Sequence, residues 1–485
     1  MILSKLLKNC KIIETNVDLN VEIADIEADS RKVSENSAFV AVRGENRNGN
    51  DYIDEAINKG AAIIISDVAP NKKEIPYVLV ENARETLAKM YSEYYGNPTK
   101  TLNVIAITGT NGKTSTAYCL YNILRKAKRS CGLISTIDCL INDEVVDLGG
   151  GGDVCDIESA MTTPDPKKLY SLLYIMKEKG AEYVVMEASS HAIKQKKLDG
   201  IEEFDIGIFT NLSEEHLDFH KTMQDYFDTK RSLLERSKIA IINIDDSYGN
   251  KMKSLANAKS YSCHQNASFS LMIKEVDSFG SKILIKNENK SIEVNTNINS
   301  LFGVYNLGMA ISCAIMLGID EQSIKKGAEN IIVKGRLEKY KENIYIDYAH
   351  TPAATYEALM AIKSIEKDKK IVVLFGCGGN RDKEKRKEIG KIASSLADLT
   401  IITSDNARNE EPMLIIKDIM LGIDVSKPHM IIPDRKDAIT YAVKHLRSDS
   451  VLVLLGKGHE EYEINKSGKH YFSERKLIDE ALNND

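Results

Sequence analysis

Short, wholly apolar runs recur along this chain and alternate with amphipathic stretches, a pattern that predicts three successive α/β domains. Over the first hundred residues, Ala38 to Val42 and Ala61 to Ile65 read as strands, with a helix from Tyr52 to Lys59 between them. Gly96-Asn97-Pro98 is turn chemistry and marks a boundary. From residue 100 to about 335 the apolar runs Val104 to Ile107, Tyr183 to Met186, Ile206 to Phe209 and Ile239 to Ile242 are separated by helical stretches. Runs apolar on both faces argue a mainly parallel sheet covered by helices. Leu271 to Val276, Ile283 to Lys286 and Ser291 to Val294 read instead as a small antiparallel meander, followed by a helix around Tyr305 to Leu317. After Gly335 the pattern restarts, with strands at Ile344 to Asp347, Ile371 to Phe375, Leu399 to Thr403, His429 to Ile432 and Val451 to Leu455. The expected architecture is α/β throughout: a domain over 1–99, a P-loop-like parallel-sheet domain over 100–335, and a Rossmann-like doubly wound domain over 336–485.

A length of 485 residues exceeds what one hydrophobic core fills, which agrees with several domains. Net charge is −6 and no Lys/Arg cluster is dense enough for a nucleic-acid footprint, so no DNA or RNA partner is expected. No apolar stretch reaches the length of a membrane span and the first twenty residues lack a secretion signal's apolar core, which predicts a cytoplasmic protein. The eight cysteines are scattered, without C-x-x-C or zinc spacing, and read as reduced, mostly buried thiols. Gly149 to Gly152 reads as a flexible loop.

The most informative segment is Ile105 to Thr114. An apolar run ends in Gly109-Thr110-Asn111-Gly112-Lys113-Thr114-Ser115 where a helix should start. Backbone N–H groups at such a junction bind phosphate oxygens, Lys113 adds charge, and the Thr114 hydroxyl reaches toward a magnesium ion. The spacing departs from the common P-loop, because Ile107 stands where its first glycine would be. A nucleotide is the first ligand expected.

Two more strand ends carry polar groups. Glu187, just past Tyr183 to Met186, is poised to share a magnesium ion with Thr114 and phosphate, since hard cations take oxygen ligands. His216 and His220, four apart, are expected to share a helix face; Leu217 after the first excludes H-E-x-x-H, and beside a phosphate loop His216 becomes a magnesium-ligand candidate. In the last third, Asp347 to Pro352, Gly376 to Asp382, Ser404 to Arg408 and Gly456 to Glu461 all follow strands, the edge where ligands collect in doubly wound sheets. Gly376-Cys377-Gly378-Gly379 lacks G-x-G-x-x-G, which argues against a dinucleotide oxidoreductase.

In this order, Asp29-Ser30-Arg31, Thr108 to Thr114, Thr162-Thr163-Pro164, Glu187 to His191, Asn211 to His220, Tyr226-x-x-x-Lys230, Gly335 to Glu338, Asp347 to Pro352, Gly376 to Asp382, Asp405 to Arg408 and Gly456 to Glu460 closely resemble the Mur ligases. These are the ATP-dependent amide-forming enzymes of bacterial cell-wall synthesis, and the best match within them is to the UDP-N-acetylmuramoyl-tripeptide synthetases. The resemblance covers essentially the whole chain. It implies a UDP-binding first domain and an ATP site built from Gly109 to Ser115, Asn306, Arg336 and the ribose-binding Asp347. Catalysis would fall to Lys113, Glu187, His216 and Lys230, with Mg²⁺ held by Thr114, Glu187, His216 and a Lys230 carbamylated by CO₂. Read by itself, Lys230 is a solvated lysine on an amphipathic helix.

The same resemblance assigns the UDP-sugar dipeptide to Ser30, Arg31, Thr162, Thr163, Ser189 and Lys197. Lys197 stands where the family usually has arginine, and cannot reproduce a bidentate fork. The incoming amino acid would meet Arg381, Asp405, Asn406, Arg408, Gly456 and Glu460. Asp405-Asn406-Ala407-Arg408 departs from the family's Asp-Asn-Pro-Arg at Ala407, and Asn380 replaces a common aspartate. Arg408 keeps a planar cation matched to a carboxylate, favouring meso-diaminopimelate over lysine, with lanthionine fitting equally. The implied partners are small molecules alone, the protein a monomer, and the third domain closes over the second once ATP is bound. A folylpolyglutamate-synthetase-like ligase, expected to lack the Asp29 to Arg31 domain and the Asp405 to Arg408 pocket, and a non-catalytic nucleotide-binding regulator are the rival readings.

Overall fold

A computed structural model describes residues 1–44, 47–70, 74–146, 162–277 and 279–483. Gly149 to Gly152 and Cys155 lie outside the described residues. The chain forms two compact units, one from Met1–Met272, Leu284–Glu293 and Asn306–Ala328, the other from Ile273–Ile283, Val294–Tyr305 and Glu329–Asp485.

The first unit holds two sheets. In the smaller, Ile12–Thr15 runs antiparallel to Tyr77–Val80, and Ala61–Ser66, Ser37–Ala41 and Ile26–Glu27 follow in parallel. The helix expected over Tyr52 to Lys59 is Ile53–Asn58, preceded by a 3₁₀ turn. Asn97 adopts a left-handed conformation before the Pro98–Lys100 turn, as its position in a Gly-Asn-Pro cluster suggests.

In the larger sheet, Asn103–Thr108 lies between Tyr183–Glu187 and Phe204–Phe209, all parallel. Ser237–Asn243 and Ala258–Ser262 extend one side; Cys131–Ile134 and the antiparallel strand Cys139–Ile141 extend the other. Val104, Ile105, Ala106 and Ile107 are all at most 1% exposed, so the central strand is covered on both faces. Burying each of its large side chains contributes about 1.5–3 kcal/mol. The register matters for function: Glu187 lies level with Ile107, and Phe209 with Thr108. Three consecutive loops therefore leave the sheet side by side.

The second unit carries a six-stranded sheet. Ile344–Asp347, Ser450–Leu455, Lys370–Phe375, Leu399–Ile402 and His429–Ile431 are parallel in that spatial order, with Glu338–Lys341 antiparallel at one edge. Asp347 and Phe375 both face Leu455, and Phe375 faces Ile402, so the four polar loops do leave from one edge. Apolar clusters on both sides of this sheet bury its strands. A hairpin of Tyr462–Asn465 and Gly468–Tyr471 follows the last of these loops. Among the described residues, no helix is long and apolar enough to cross a membrane. Cys119, Cys131, Cys139, Cys313 and Cys377 are buried and Cys10 and Cys263 partly buried, each outside any disulfide.

Candidate functional site

The phosphate loop is built by glycines that its neighbours demand. Gly109 has φ +152°, and a Cβ there would overlap the Thr210 hydroxyl; Gly112 has φ +83°, and a Cβ there would strike the Asn306 amide. Asn306 is thereby seated against the start of the helix Lys113–Lys126, whose N-terminus has no side-chain cap. The loop is clamped from the neighbouring strand end: Asn211 Oδ1 accepts from Asn111 N at 3.0 Å, Thr110 N donates to Asn211 O at 2.9 Å, and Thr210 Oγ1 donates to Asn111 O at 2.6 Å. The first turn of the helix carries no acidic residue of its own, which leaves its N–H groups available to an anion.

Glu187 is completely buried and accepts three hydrogen bonds, from Thr114 Oγ1 at 3.1 Å, Thr136 N at 2.8 Å and Thr136 Oγ1 at 3.2 Å. Thr136 has no counterpart among the residues singled out from sequence; it belongs to a loop after Cys131–Ile134 with no motif of its own. Thr163 braces the same strand end, donating to the Glu187 carbonyl at 2.9 Å and accepting from Ser189 N at 2.9 Å. Ser189 in turn caps the short helix Ser190–Lys194.

Lys230 is not the solvated lysine that its helix pattern alone implies. It is 1% exposed on the inner face of Met223–Glu235, donates to the Gly109 carbonyl at 2.8 Å, and lies 4.7 Å from the Tyr226 ring centroid. Burial, reinforced by the nearby Lys113 ammonium, pulls its pKa well below the ordinary lysine value, and Glu215 opposes that shift. Lys113 donates to the same Gly109 carbonyl at 3.0 Å and to that of Thr110 at 2.8 Å.

His216 and His220 do not share a helix face. His216 sits in the left-handed region (φ +57°) as the N-cap of Leu217–His220, so it stands outside the helix and only His220 is helical. His216 lies edge-on to His191 at 4.8 Å and 3.8 Å from the Glu215 carboxylate. Burial lowers its pKa to about 4, so at neutral pH the ring carries a free lone pair. Among the described residues, no group of three or more His, Cys, Asp and Glu side chains could hold a metal ion. Thr114 and Glu187 nonetheless offer hard oxygen atoms in contact, and a carbamate on Lys230 would add an anion; that donor chemistry fits Mg²⁺. A buried amine with a lowered pKa also fits attack on CO₂, which only the neutral form performs.

The remaining first-unit candidates are already engaged. Lys197 is 7% exposed and paired with Asp165 at 2.6 Å. Ser30 donates to Glu55 at 2.9 Å, Arg31 pairs with Asp29 at 2.7 Å, and Thr162 is half-buried beside Thr163. Lys167, on the helix after Thr163, bonds Asp25 at 3.0 Å and Glu27 at 2.5 Å, joining this region to the smaller sheet.

In the second unit, Asp347 accepts from Leu337 N and from Ala349 N at 2.7 Å; burial raises its pKa against the opposing Arg336 charge. Arg336 stacks over Tyr348, 4.6 Å from the ring centroid. Gly335 (φ +64°) lies so close to Gly458 and His459 that no Cβ fits between them.

The other loops form a buried polar pocket. Asn406 Nδ2 donates to Glu460 at 2.8 Å, and the Tyr348 hydroxyl lies 3.4 Å from the same carboxylate. Burial raises the Glu460 pKa, helped by Asp405. Burial would raise Asp405 as well, but Lys457 and Arg435 hold its carboxyl below the ordinary value. Gly456 (φ +108°) leaves room only for the Asp405 carboxylate. Arg408 adopts φ +51° and donates to the Gly379 carbonyl at 3.0 Å. Arg381 is exposed on the adjoining loop, whose Asn380 N–H and Gly378 carbonyl are held by Glu410 and the buried Arg386. Arg386, Arg435 and Lys457 escaped the reading of the sequence; only Lys457 lies inside a recognised motif, between Gly456 and Glu460.

Comparison with known proteins agrees over the whole length. The Mur ligase middle-domain model matches residues 107–314, the Mur ligase glutamate ligase domain 335–458, and the Mur ligase family catalytic domain 22–95. A UDP-N-acetylmuramoyl-L-alanyl-D-glutamate–2,6-diaminopimelate ligase of Caldanaerobacter subterraneus subsp. tengcongensis is 39% identical, covering 96% of this chain and 95% of its own. One of the same name from Clostridium perfringens is 39% identical, covering 99% of both. A solved structure of a ligase so named superposes with a TM-score of 0.69 at 25% identity, covering 100% of this chain and 99% of that one.

Proposed function

The chain belongs to the Mur ligase family, and from that premise we propose that it joins meso-2,6-diaminopimelate to UDP-N-acetylmuramoyl-L-alanyl-D-glutamate at the expense of ATP. The observation that carries this reading is the buried cluster at three adjacent strand ends, where Lys113, Lys230, Thr114 and Glu187 converge on one phosphate loop. A loop of this kind positions a triphosphate, and phosphoryl transfer depends on position and charge.

In the reaction proposed, a D-glutamyl carboxylate oxygen attacks the γ-phosphorus, the bond to the bridging oxygen breaks, and ADP leaves. An acyl phosphate results. The amine of the incoming amino acid adds to its carbonyl carbon, the tetrahedral intermediate expels inorganic phosphate, and the nitrogen loses a proton to leave the amide. Lys113 neutralises charge on the transferring group, and the N-terminus of Lys113–Lys126 binds its oxygens. Mg²⁺, held by Thr114, Glu187, His216 and carbamylated Lys230, would supply electrostatic stabilisation of the phosphates. Asn306, Arg336 and Asp347 complete the ATP site; Ser30, Arg31, Thr162, Thr163, Ser189 and Lys197 bind the UDP-sugar dipeptide. Arg381, Asp405, Asn406, Arg408, Gly456 and Glu460 take the amino acid, with Arg408 on its distal carboxylate.

We propose the boundaries 1–99, 100–335 and 336–485 for the three domains, a monomeric state, and action in the cytoplasm, where ATP and nucleotide-activated sugars are available. The family match over 22–95 supports this reading over a folylpolyglutamate-synthetase-like one. The test is phosphate release and product mass with ATP, Mg²⁺ and the UDP-sugar dipeptide, offering meso-diaminopimelate, lanthionine or L-lysine in parallel. Product with meso-diaminopimelate and little with lysine is expected. Product with lysine alone overturns the role of Arg408, and ATP binding without amide from any acceptor favours the non-catalytic reading.

A further inference from the structure

Lys457 is fully buried, and its ammonium reaches the neighbouring loop rather than solvent. Its ammonium donates to Asn406 Oδ1 at 3.1 Å and to the Tyr462 carbonyl at 2.8 Å, and lies 3.5 Å from Asp405. Asn406 Oδ1 also accepts from Ile464 N at 2.9 Å. An ammonium and a backbone N–H can only donate, so the atom that faces both must be the amide oxygen. The amide nitrogen is then forced to the opposite side, where it donates to Glu460 at 2.8 Å. Reversed, the amide would set its nitrogen against two donors and its oxygen against a carboxylate. The orientation is therefore imposed by the pair Lys457 and Ile464, and of these only Lys457 is a side chain that substitution can remove.

We propose that Lys457 is a positioning residue of the amino-acid pocket, acting through the Asn406 amide to hold the Glu460 carboxylate in place for the ammonium group of the incoming amino acid. The proposal rests on the ligase reading above. A merely structural lysine would serve Asp405 and the Tyr462–Asn465 hairpin alike, and its loss would weaken the whole protein. A positioning lysine acts on one substrate and through one neighbour.

The experiment is a double-mutant cycle in the full-length protein between K457M and N406A, with KM measured for meso-diaminopimelate, ATP and the UDP-sugar dipeptide, and folding checked by thermal melting. Alone, K457M is expected to raise KM for meso-diaminopimelate by about tenfold, with the other two KM values within about twofold. In the N406A background the same substitution changes KM for meso-diaminopimelate by less than about twofold, because the neighbour it acts through is gone. Additive effects, or a parallel rise in all three KM values, overturn the proposal. Should K457M fail to fold, K457L, which also removes the donor, carries the same cycle with the same criteria. A wild-type protein that makes no amide from any acceptor overturns the ligase reading and this proposal with it, whereas an active wild type with an unchanged K457M overturns this proposal alone.

Discussion

Lys113 and Lys230, far apart in sequence, donate to one acceptor: the Gly109 carbonyl oxygen is 3.0 Å from the first ammonium and 2.8 Å from the second. Two like charges converge on a single dipole, one of them wholly buried, and the cost falls on the buried partner, whose pKa drops well below the ordinary lysine value through burial first and Lys113 second. An amine so placed is primed to lose its proton, which is the state that reacts with CO₂.

That arrangement opposes folding. Between the lowered folded-state pKa and the ordinary value near 10.5, the unfolded chain binds a proton that the native chain resists, so the penalty is present through this window and fades as pH rises toward 10.5. Lys230→Met therefore raises the melting midpoint by a few degrees at pH 7 in bicarbonate-free buffer while abolishing amide formation. Scanning calorimetry with a product assay checks both, and an active variant, or one with a lowered midpoint, contradicts the role given to Lys230. Carbon-13 spectra in labelled bicarbonate should show a carbamate signal that this variant lacks.

Thr136 supplies two of the three hydrogen bonds that orient Glu187, one through its backbone and one through its hydroxyl. Thr136→Val removes only the second. The cost is about 1 kcal/mol of stability and a several-fold higher Mg²⁺ concentration for half-maximal phosphate release. Unaltered Mg²⁺ dependence would show that Glu187 does not serve the metal. With a chelator in excess, wild-type turnover should stop.

His216 and His220 both have pKa values lowered to about 4, chiefly by burial. Their unfolded values lie near 6.5, so the unfolded chain takes up protons first as pH falls. Stability contributed by keeping these rings neutral is fully present above about pH 6.5 and is lost progressively down to about pH 4. His220 has neither ring nitrogen hydrogen-bonded and stacks on Tyr226 at 4.7 Å, so His220→Phe should flatten the acid limb of a denaturation profile. A profile identical to wild type would refute the assignment.

Arg408 holds an unfavourable backbone conformation at φ +51°, and its Nη1 donates to the Gly379 carbonyl at 3.0 Å and the Asn406 carbonyl at 3.3 Å. Arg408→Lys keeps the charge but not the fork, and should reduce kcat/KM for meso-diaminopimelate by about 10–100-fold while leaving the KM for ATP unchanged. Equal losses for meso-diaminopimelate and L-lysine would mean that Arg408 does not read the distal carboxylate.

Gly109→Ala places a Cβ onto the Thr210 hydroxyl in a backbone conformation that alanine disfavours. The loop must open, and ATP affinity is expected to fall by at least about tenfold in a nucleotide-binding titration, with the rest of the fold retained.

Which segments are strands, and which loops carry chemistry, was legible in the sequence, because both are local properties. Period and turn chemistry placed the strand before Gly109, the one ending at Glu187 and the five parallel strands after Gly335 to within a few residues of where they occur. What surrounds a side chain is not local. Lys230 reads as a surface lysine until the strand Phe204–Phe209 pairs beside Asn103–Thr108 and its following helix turns that lysine inward beneath the phosphate loop. Thr136 gains meaning only because Cys131–Ile134 lies next to Tyr183–Glu187, and Lys457 only because sheet order sets its loop beside Asn406. His216 and His220 kept their spacing but not their shared face, since His216 is left-handed and caps the short helix that holds His220. The order of strands, fixed by packing among residues a hundred positions apart, decided which of the legible loops meet.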